Sequence, residues 1–587
     1  MNLYAGRIIK VDLSAGRVAK EPLRLEWLDH YWGSWGLAVK YYVDLVPPEV
    51  DPFSPENALV IMTGPLAGTL APTSSRFCLV SKSPHSGTIF ETNTGGAFAP
   101  ELKFAGYDGI IITGKSERPV YLRIKDDDVS LEDASGLKGK GAFETEDLLK
   151  AAVGSDEAKV LCIGPAGENL VTFSSVNTEG YRQMGRGGAG ALFGSKNLKG
   201  LVCRGTGGVK VADMKAFKRK VDEFKASSVM TDDNLWARNT GTSLLVAVTN
   251  ELGLHPTHNF TYGFNEDHQA IGPDAILAAK KADRACSSCP LGCGKFTHIN
   301  GAEVEGPEYE TLCLAGSNCD MNDLEQIIRF NRLCDDLGLD TITSGNVIGL
   351  AMDLTESGRR DLGLHFGQPD DYLKAVEEIA RLSTPRGRDL ALGSRKLAEK
   401  YDARDLSTEV KGLEFPAYDP RASYGMGLAY ATSERGACHM RAFTVFAENP
   451  FDLDAMAQAV AAGQNLAAIK WCMCFCDFWG TVNTGIMAQL LTAGLGREVT
   501  AEELDLAGER IWNLCRLFNL KAGLTAADDR LPEKIMRQAL QKGPHAGRVL
   551  AEDDFGQMLQ TYYRLRGWNE QGVPGDAKLR ELGLRAL

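Results

Sequence analysis

Apolar and polar positions alternate in short runs over the first 205 or so residues, and these runs end at glycine, proline or serine. The run "RIIKVDLSAGRVAKEP" predicts a hairpin, with Ile8, Val11 and Val18 on alternating faces and a turn at Ser14–Gly16. The runs "ALVIMTGPLAG", "FCLVSKSP" and "GIIITGK" are similarly β-rich and end in turn-forming residues. The pattern predicts a β-rich N-terminal domain.

The period changes after "GVKVADMKAF", where apolar residues begin to recur three and four positions apart. This spacing predicts helices over residues 213–229, 323–336, 343–356 and 370–382. Near the end of the chain, Thr500 and Glu503 form a capping-box signature that predicts the start of another helix. The second part of the chain is therefore predicted to be mainly helical.

The predicted fold class is α+β, with a β-rich N-terminal domain followed by two mainly α-helical domains. The predicted domains are residues 1–208, 209–410 and 411–587. The second boundary rests on the charged segment "LSTPRGRDLALGSRKLAEKYDARD", which glycine and proline interrupt.

Net charge, apolar run length and cysteine content exclude several kinds of partner and location for this protein. The 587 residues carry a net charge of −13, which argues against nucleic acid or an anionic membrane as a partner. No apolar run reaches the ~18 residues that a membrane span needs, and the N-terminus lacks an apolar signal core. Fourteen cysteines suit a reducing compartment. We therefore expect a cytoplasmic protein.

Four cysteines are the strongest chemical signal. Cys286, Cys289 and Cys293 lie in the stretch "ACSSCPLGC", and Cys476 in the run "KWCMCFCDFW" is a natural distant fourth ligand. Thiolates at this spacing favour zinc or an iron–sulfur cluster. The spacing of two and three residues is unusual for a zinc ribbon, so it favours a [4Fe–4S] cluster, with structural zinc and reduced thiols as alternatives.

Two stretches are rich in glycine and polar residues. The first is Arg76 followed by "ETNTGGAFAPELKFAGYDG", and the second is "YRQMGRGGAGALFGSKNLKG", in which basic residues flank four glycines. Such loops expose backbone N–H groups that suit a phosphate or another anionic cofactor group, although a plain cluster of turns is the alternative. Neither stretch is a dinucleotide-binding fingerprint or a P-loop.

Three more stretches carry candidate acid–base groups. "EVEGPEYET" contains Glu308 and Glu310, "CDDLGLDT" contains Asp335 and Asp340, and "YATSERGACHMRA" contains His439. A solvated acidic face, a helix end with surface acids and a structural histidine are the respective alternatives.

In this order, these motifs resemble the aldehyde:ferredoxin oxidoreductase family, the tungsten enzymes that carry two pterin dithiolenes on each metal. The resemblance covers nearly the whole chain, from Arg76 and "NTGG" through "GRGGAGALFGSKNLKG", "EGPEYET" and "RGACH" to the late cysteine. It implies a tungsten or molybdenum bis-molybdopterin, a [4Fe–4S] cluster and a magnesium ion that bridges the pterin phosphates.

The resemblance also implies roles for individual residues. The implied cluster ligands are Cys286, Cys289, Cys293 and Cys476, and the implied active-site residues are Glu310, His439 and Tyr418, with Glu308 as a weaker choice than Glu310. The implied pterin-binding residues are Arg76, Asn93, Gly95, Gly96, Arg182, Gly185, Arg186, Gly187, Gly188, Asp335, Gly338 and Asp340.

The sequence departs from the family pattern at three places, one of which is "HPTHNF", where His255 and His258 are added and would bear on substrate preference or a proton path. The second pterin motif, D-x-x-G-x-C, has lost its Asp and Gly before Cys476, so the second pterin must be held differently, by main chain or by Lys470. The nearby Cys472 and Cys474 are the alternatives to Cys476 as the fourth cluster ligand. The E-x-x-H motif for a subunit-bridging iron is absent, which argues against an iron-bridged dimer but leaves another homo-oligomer open.

The expected function is oxidation of an aldehyde to its carboxylic acid, with electrons leaving through the cluster to ferredoxin or to a small iron–sulfur subunit. Glu310 would accept a proton and His439 would hydrogen-bond the carbonyl. One alternative is the catalytic subunit of an aryl-CoA reductase complex of the benzoyl-CoA type. Another is a non-catalytic iron–sulfur electron relay.

Overall fold

The computed structural model describes residues 1–299, 302–476, 478 and 482–584. Two six-stranded sheets form the N-terminal part. The first contains β1 (Arg7–Asp12), β2 (Arg17–Pro22), β3 (Leu59–Met62), β4 (Phe77–Lys82), β5 (Ile89–Thr94) and β6 (Gly109–Thr113). The second contains β7 (Val120–Lys125), β8 (Asp128–Asp133), β9 (Lys159–Cys162), β10 (Val176–Thr178), β11 (Arg182–Met184) and β12 (Leu198–Arg204).

The strand order is β2-β1-β6-β3-β4-β5 in the first sheet and β11-β10-β9-β12-β7-β8 in the second. The predicted hairpin is confirmed, since β1 pairs antiparallel with β2 and Val11 lies opposite Val18. Alternate residues of the first sheet enter different cores: Ile9 and Ile61 pack with the second sheet, whereas Ile8 and Val60 pack with the helical regions. Because side chains alternate with period two, the first sheet can bury both faces.

The helices of the N-terminal part are α1 (Leu28–Tyr31), α2 (Ser34–Leu45), α3 (Phe98–Phe104), α4 (Ala142–Val153), α5 (Pro165–Glu168) and α6 (Ala189–Ser195). The middle of the chain contains α7 (Met214–Phe224), α8 (Leu235–Asn239), α9 (Leu244–Glu251), α10 (Pro273–Ala279), α11 (Tyr309–Thr311), α12 (Leu324–Leu337), α13 (Thr341–Glu356), α14 (Tyr372–Arg381), α15 (Pro385–Leu390) and α16 (Ser394–Lys400). The last part contains α17 (Tyr424–Thr432), α18 (Leu453–Cys472), α19 (Thr484–Leu495), α20 (Ala501–Lys521), α21 (Glu533–Arg537), α22 (Glu552–Leu565) and α23 (Asp576–Glu581).

Two small sheets interrupt the helices. The first consists of β13 (Lys280–Arg284), β14 (Gly294–Ile299) and β15 (Ala302–Glu305), and the second of β16 (Glu409–Val410) and β17 (Leu413–Glu414). The predicted cysteine loop lies between β13 and β14. The α+β class is confirmed, with sheets first and helices afterwards.

The predicted helices correspond to α7, α12, α13 and α14, with differences at their ends. Helix α7 ends at Phe224, and a π-helical turn continues to Val229. Helix α13 begins at Thr341, two residues earlier than predicted, because the Asp340 carboxylate accepts the N–H groups of Ile342 and Thr343. The capping box of Thr500 and Glu503 is present at the start of α20.

Within the described residues, no helix combines the length and the apolar character that a bilayer span requires.

Candidate active site

Three adjacent cavities lie where the two N-terminal sheets meet the helical regions. The central cavity, of about 230 Å³, is lined by residues of β5, β11, β15, α12 and the start of α13, and by Arg435 and His439. The aromatic cavity, of about 600 Å³, and the thiol cavity, of about 160 Å³, adjoin it. Glu308 lines all three, so the cavities form one connected site.

The central cavity contains buried cationic and anionic groups in close proximity. Arg182 and Arg186 project from the β11 strand and the loop after it, and Glu305 projects from the end of β15. Among the described residues, Arg182 Nε and Nη2, Arg186 Nε and Glu305 Oε1 are buried and make no hydrogen bond. Because a buried polar atom without a partner costs about 1–3 kcal/mol, these groups are suited to a polar ligand.

Glycines allow the β11 loop to turn sharply into α6. Gly187 and Gly188 have φ values of +94° and +83°, which only glycine adopts easily. A Cβ atom on Gly188 would lie 2.1 Å from the Thr172 carbonyl oxygen. These two glycines therefore shape the loop, whereas Gly185 lines the central cavity itself.

The two aspartates of "CDDLGLDT" lie on either side of a tight turn between α12 and α13. Gly338 ends α12 with φ of +77°, and Asp340 caps α13. Asp335 accepts a hydrogen bond from Asn331 Nδ2 at 3.0 Å and one from the Gln183 amide. Both carboxylates line the central cavity and are buried, and burial raises the pKa of Asp335. They are therefore not surface acids, although Asp340 is also a helix cap.

Glu310 and His439 face each other at the border of the central and aromatic cavities. Glu310 lies on the single turn α11, which continues into a π-helical turn at Leu312–Gly316. Its Oε2 accepts the Ala417 N–H at 2.9 Å, and its Oε1 lies 3.6 Å from His439 Nε2, too far for a hydrogen bond. Glu310 Oε1 and His439 Nδ1 are buried and without hydrogen-bond partners among the described residues.

The surroundings shift both groups away from their charged forms. Burial raises the pKa of Glu310 to about 8. Burial, together with the positive charges of Arg186, Arg435 and Arg441, lowers the pKa of His439 to about 3. Near neutral pH the histidine is therefore uncharged, and the glutamic acid can exchange a proton readily.

The aromatic cavity opens from this pair. The buried Tyr418 ring lies 5.5 Å from the His439 ring and 5.2 Å from the rings of Tyr309 and Phe443. Lys470, which we predicted as a pterin ligand, lines this cavity and not the central one. Its role at the second pterin stays a prediction.

The thiol cavity collects the four predicted cluster ligands. Cys286, Cys289, Cys293 and Cys476 line it, together with Gly95. A Cβ atom on Gly95 would lie 2.7 Å from Cys286 Sγ, so a side chain at this position would displace that thiol. Cys472 Sγ instead donates to the Ala468 carbonyl at 3.1 Å, and Cys474 Sγ accepts the Gly64 N–H at 2.8 Å. The geometry therefore favours Cys476 as the fourth thiol.

Arg76 and Asn93 lie between the thiol and central cavities and line both. The Arg76 guanidinium donates to Asn93 Oδ1, and its Nη2 lies 3.6 Å from Cys476 Sγ. A cation in this position contacts whatever occupies either cavity.

The predicted residues Gly96, Gly187, Gly188 and Gly338 do not line any of the three cavities described here. Several residues that line the central cavity were not among the predicted site residues, namely Tyr181, Gln183, Glu305, Arg435 and Met440. All five lie within stretches that the sequence had singled out, but nothing in the sequence shows which side chains of a stretch face a cavity.

A second missed feature is a buried charge cluster below the aromatic cavity. The Arg441 guanidinium is fully buried, lies 3.1 Å from Glu91 and donates to Glu434 at 2.9 Å. It stacks over Trp35 and Trp471, with its Cζ atom 4.9 and 4.4 Å from the two ring centroids. Trp471, which stands where the family motif has Asp, therefore packs into this cluster.

We expect Arg441→Met to lower the thermal midpoint strongly, because it removes the cation that forms ion pairs with the buried Glu91 and Glu434. Removing one partner of a buried ion pair costs about 3–5 kcal/mol. The measurement is thermal unfolding followed by circular dichroism. The matched control is Arg497→Met, since Arg497 pairs with Asp29 at the surface. Equal small shifts in the two variants would contradict the compensating role of Arg441.

Comparisons with known proteins show the family to which this chain belongs. The profile described as "Aldehyde ferredoxin oxidoreductase, N-terminal domain" matches residues 8–205, and the one described as "Aldehyde ferredoxin oxidoreductase, domains 2 & 3" matches residues 215–584. The chain belongs to the aldehyde ferredoxin oxidoreductase family. The family prediction is confirmed, and with it the prediction of an oxidoreductase.

Individual relatives agree with this assignment. The tungsten-containing aldehyde ferredoxin oxidoreductase of Pyrococcus furiosus is 41% identical over 99% of this chain and 98% of its own length. The enzyme of the same name from Thermococcus kodakarensis is 40% identical, over 99% of this chain and 98% of its own length. Among solved structures, the active site complex BamBC of benzoyl coenzyme A reductase matches with a TM-score of 0.86 and 26% identity, over 99% of this chain and 97% of that chain.

Proposed function

We propose that this aldehyde ferredoxin oxidoreductase family member oxidises aldehydes to carboxylic acids. A tungsten bis-pterin would occupy the central cavity, and a [4Fe–4S] cluster in the thiol cavity would pass electrons to ferredoxin or to an iron–sulfur subunit. The observation that carries the proposal is the connected site, in which Glu308 lines all three cavities.

The central cavity fits an anionic pterin. Arg182 and Arg186 offer phosphate N–H donors that make no hydrogen bond, and the Asp335 and Glu305 carboxyl groups can accept N–H groups of a ring system. Asn93 and the loop from Arg182 to Gly188 form the region that we assign to the pterin phosphates and a bridging magnesium ion. Molybdenum in place of tungsten remains the alternative, because the pterin supplies the sulfur ligands.

The thiol cavity fits a cluster better than zinc. Zinc gathers all its ligands within about 2.0–2.3 Å of one point, whereas each thiolate of a cubane binds its own iron atom. Among the described residues, no three histidine, cysteine or acidic side chains are arranged to hold a single metal ion. The four thiols nevertheless line one cavity, as cluster ligands do.

When bound, the tungsten pterin supplies the two-electron redox chemistry that aldehyde oxidation requires. The protein positions the aldehyde at the inner end of the aromatic cavity. Neutral His439 donates a hydrogen bond to the carbonyl oxygen, which polarises the carbon. Glu310, held at Oε2 by the Ala417 N–H, accepts a proton at Oε1 as water adds to the carbonyl.

We expect His439→Ala to lower kcat/KM for every aldehyde by about a hundredfold, because the histidine acts on the transition state. Tyr418→Phe should instead change KM among aldehydes, since the Tyr418 ring lines the cavity and removal of its hydroxyl leaves the ring in place. The measurement is viologen reduction with aliphatic and aromatic aldehydes. A uniform effect of Tyr418→Phe with a fully active His439→Ala variant would show that the roles are reversed or that His439 is structural.

A second candidate function is the aryl-CoA reductase subunit, which the likeness to the BamBC complex favours. The relatives at about 40% identity carry the aldehyde name, whereas the BamBC likeness stands at 26% identity. We therefore place aldehyde oxidation first. Purified protein that ignores aldehydes but binds an aryl-CoA thioester would reverse this order. Protein that contains iron and sulfide but neither tungsten nor molybdenum would favour the third candidate, an electron relay.

A further inference from the structure

The aromatic cavity continues outward from Glu310 and His439 as a series of rings. Tyr418 packs against His439, Phe443 meets the Tyr418 ring at an interplanar angle of 87°, and Phe446 lies 5.7 Å beyond Phe443. The rings lead from Glu310 and His439 to the surface, because Phe443 is 45% exposed and Phe446 is 60% exposed.

The exposure of these two phenylalanines needs an explanation. Among the large apolar side chains that the described part of the chain leaves exposed, Phe443 and Phe446 are the aromatic members, and both line the same cavity. Exposed aromatic groups that converge on one opening mark a binding surface. The cavity volume of about 600 Å³ falls within the ~300–1,000 Å³ of small-molecule sites.

The chemistry of the walls indicates the class of ligand. Glu308, Glu310 and His439 lie where this cavity borders the central one. Most of the other lining residues are apolar or aromatic, among them Trp236, Leu245 and Leu466, with Asn234, Thr242, Arg441 and Lys470 as the polar ones. The described cationic side chains on this wall are Arg441 and Lys470, and Arg441 is already bound by Glu91 and Glu434. The wall therefore suits an apolar tail better than a phosphate or a sugar.

We propose that this site selects aldehydes with an aromatic ring, and that Phe443 and Phe446 determine this specificity. The inference rests on the proposed function. The carbonyl group points inward to His439, and the aromatic ring of the substrate lies against the edges and faces of Tyr418 and Phe443. Aromatic rings prefer such edge-to-face arrangements with centroids about 4.5–7 Å apart, which matches the spacing of the rings already present.

The first test compares kcat/KM for 2-phenylacetaldehyde and acetaldehyde in the loaded enzyme. The wild type should prefer 2-phenylacetaldehyde, and the double variant Phe443→Ala/Phe446→Ala should lose about tenfold with it, as expected for one or two aromatic contacts. Acetaldehyde, which carries no ring to pack against these side chains, should change less than about twofold. The control is Leu565→Ala, which removes a side chain of similar exposure, 47%, that lines none of the three cavities.

The second test does not depend on turnover. Binding of 2-phenylacetamide and acetamide, neutral analogues that the enzyme does not oxidise as aldehydes, is measured by saturation-transfer NMR. The wild type should bind 2-phenylacetamide, the double variant should bind it about tenfold more weakly, and acetamide should show no difference. Equal binding of 2-phenylacetamide by wild type and double variant would overturn the inference.

The outcomes separate this inference from the proposed function. A preparation that contains tungsten but oxidises no aldehyde contradicts the proposed function. In that case, binding of 2-phenylacetamide still tests whether the aromatic cavity binds an aromatic ring. An enzyme that oxidises both aldehydes, with equal losses or none in the double variant, keeps the function and contradicts the inference. A higher KM for ferredoxin in the double variant with unchanged aldehyde kinetics would assign the two phenylalanines to partner binding and also contradict it.

Discussion

Glu310→Gln should lower kcat/KM for aldehyde oxidation by about a hundredfold or more, because general base catalysis contributes about 10²–10⁴-fold. Glutamine has nearly the same shape and can keep the contact to the Ala417 N–H through its carbonyl oxygen, but it cannot accept the proton. The measurement is aldehyde-dependent viologen reduction. The control is Glu325→Gln on α12, an exposed acid that pairs with Arg329.

The pH dependence gives Glu310 a second signature. The carboxyl group must be deprotonated to act as a base, and burial raises its pKa to about 8, so wild-type kcat/KM should rise with pH and level off above about 8. The same raised pKa means that the wild type loses stability as pH rises from about 4.5 to about 8, the range in which the unfolded chain has released the proton that the folded protein retains. Glu310→Gln should lack this loss and melt at the same or a higher temperature at pH 9. A fully active variant with an unchanged pH profile would remove Glu310 from the mechanism.

The second large effect concerns the thiol cavity. Cys289→Ala should abolish electron transfer to ferredoxin and to viologen, because a cluster that lacks one thiolate loses the bond that anchors one of its iron atoms. Iron and sulfide analysis, together with the broad visible absorbance of the cluster, measures the loss directly. Tungsten content should change less than iron content, since Cys289 lines the thiol cavity and not the central one.

The matched control is Cys203→Ala, which shortens a buried cysteine in strand β12, away from the three cavities. It should keep its iron, its absorbance and its activity. A Cys289→Ala protein with full cluster content would show that Cys289 is not a ligand. Cys472→Ala and Cys474→Ala, if they retain the cluster, would in turn leave Cys476 as the fourth ligand.

Local patterns in the sequence predicted the parts of the fold that depend on neighbouring residues. The hairpin of β1 and β2, the helices α12 and α14 and the capping box of α20 all follow from the spacing of apolar residues and from cap residues. The order of the strands in the two sheets could not be predicted from these local patterns. Strand β1 lies beside β6, about a hundred residues later, and local periodicity contains no information on such pairing.

The same distinction holds for the site. The cysteine loop, Asp335, Glu310 and His439 were found because each lies in a short motif, and the structure brings them to three adjacent cavities. The Arg441 cluster was missed because it joins residues as distant in sequence as Glu91 and Arg441. The aromatic cavity was missed for a similar reason, since α8, α9, α18 and the segments around Tyr418 and Phe443 each contribute only a few side chains.

The most direct test of the central claim is anaerobic viologen reduction by the purified protein with acetaldehyde and 2-phenylacetaldehyde, measured across preparations that differ in tungsten content. The proposed function predicts reduction with aldehyde present, at a rate proportional to tungsten content, with release of the corresponding carboxylic acid. Preparations with full tungsten and iron that reduce no viologen with either aldehyde would contradict it.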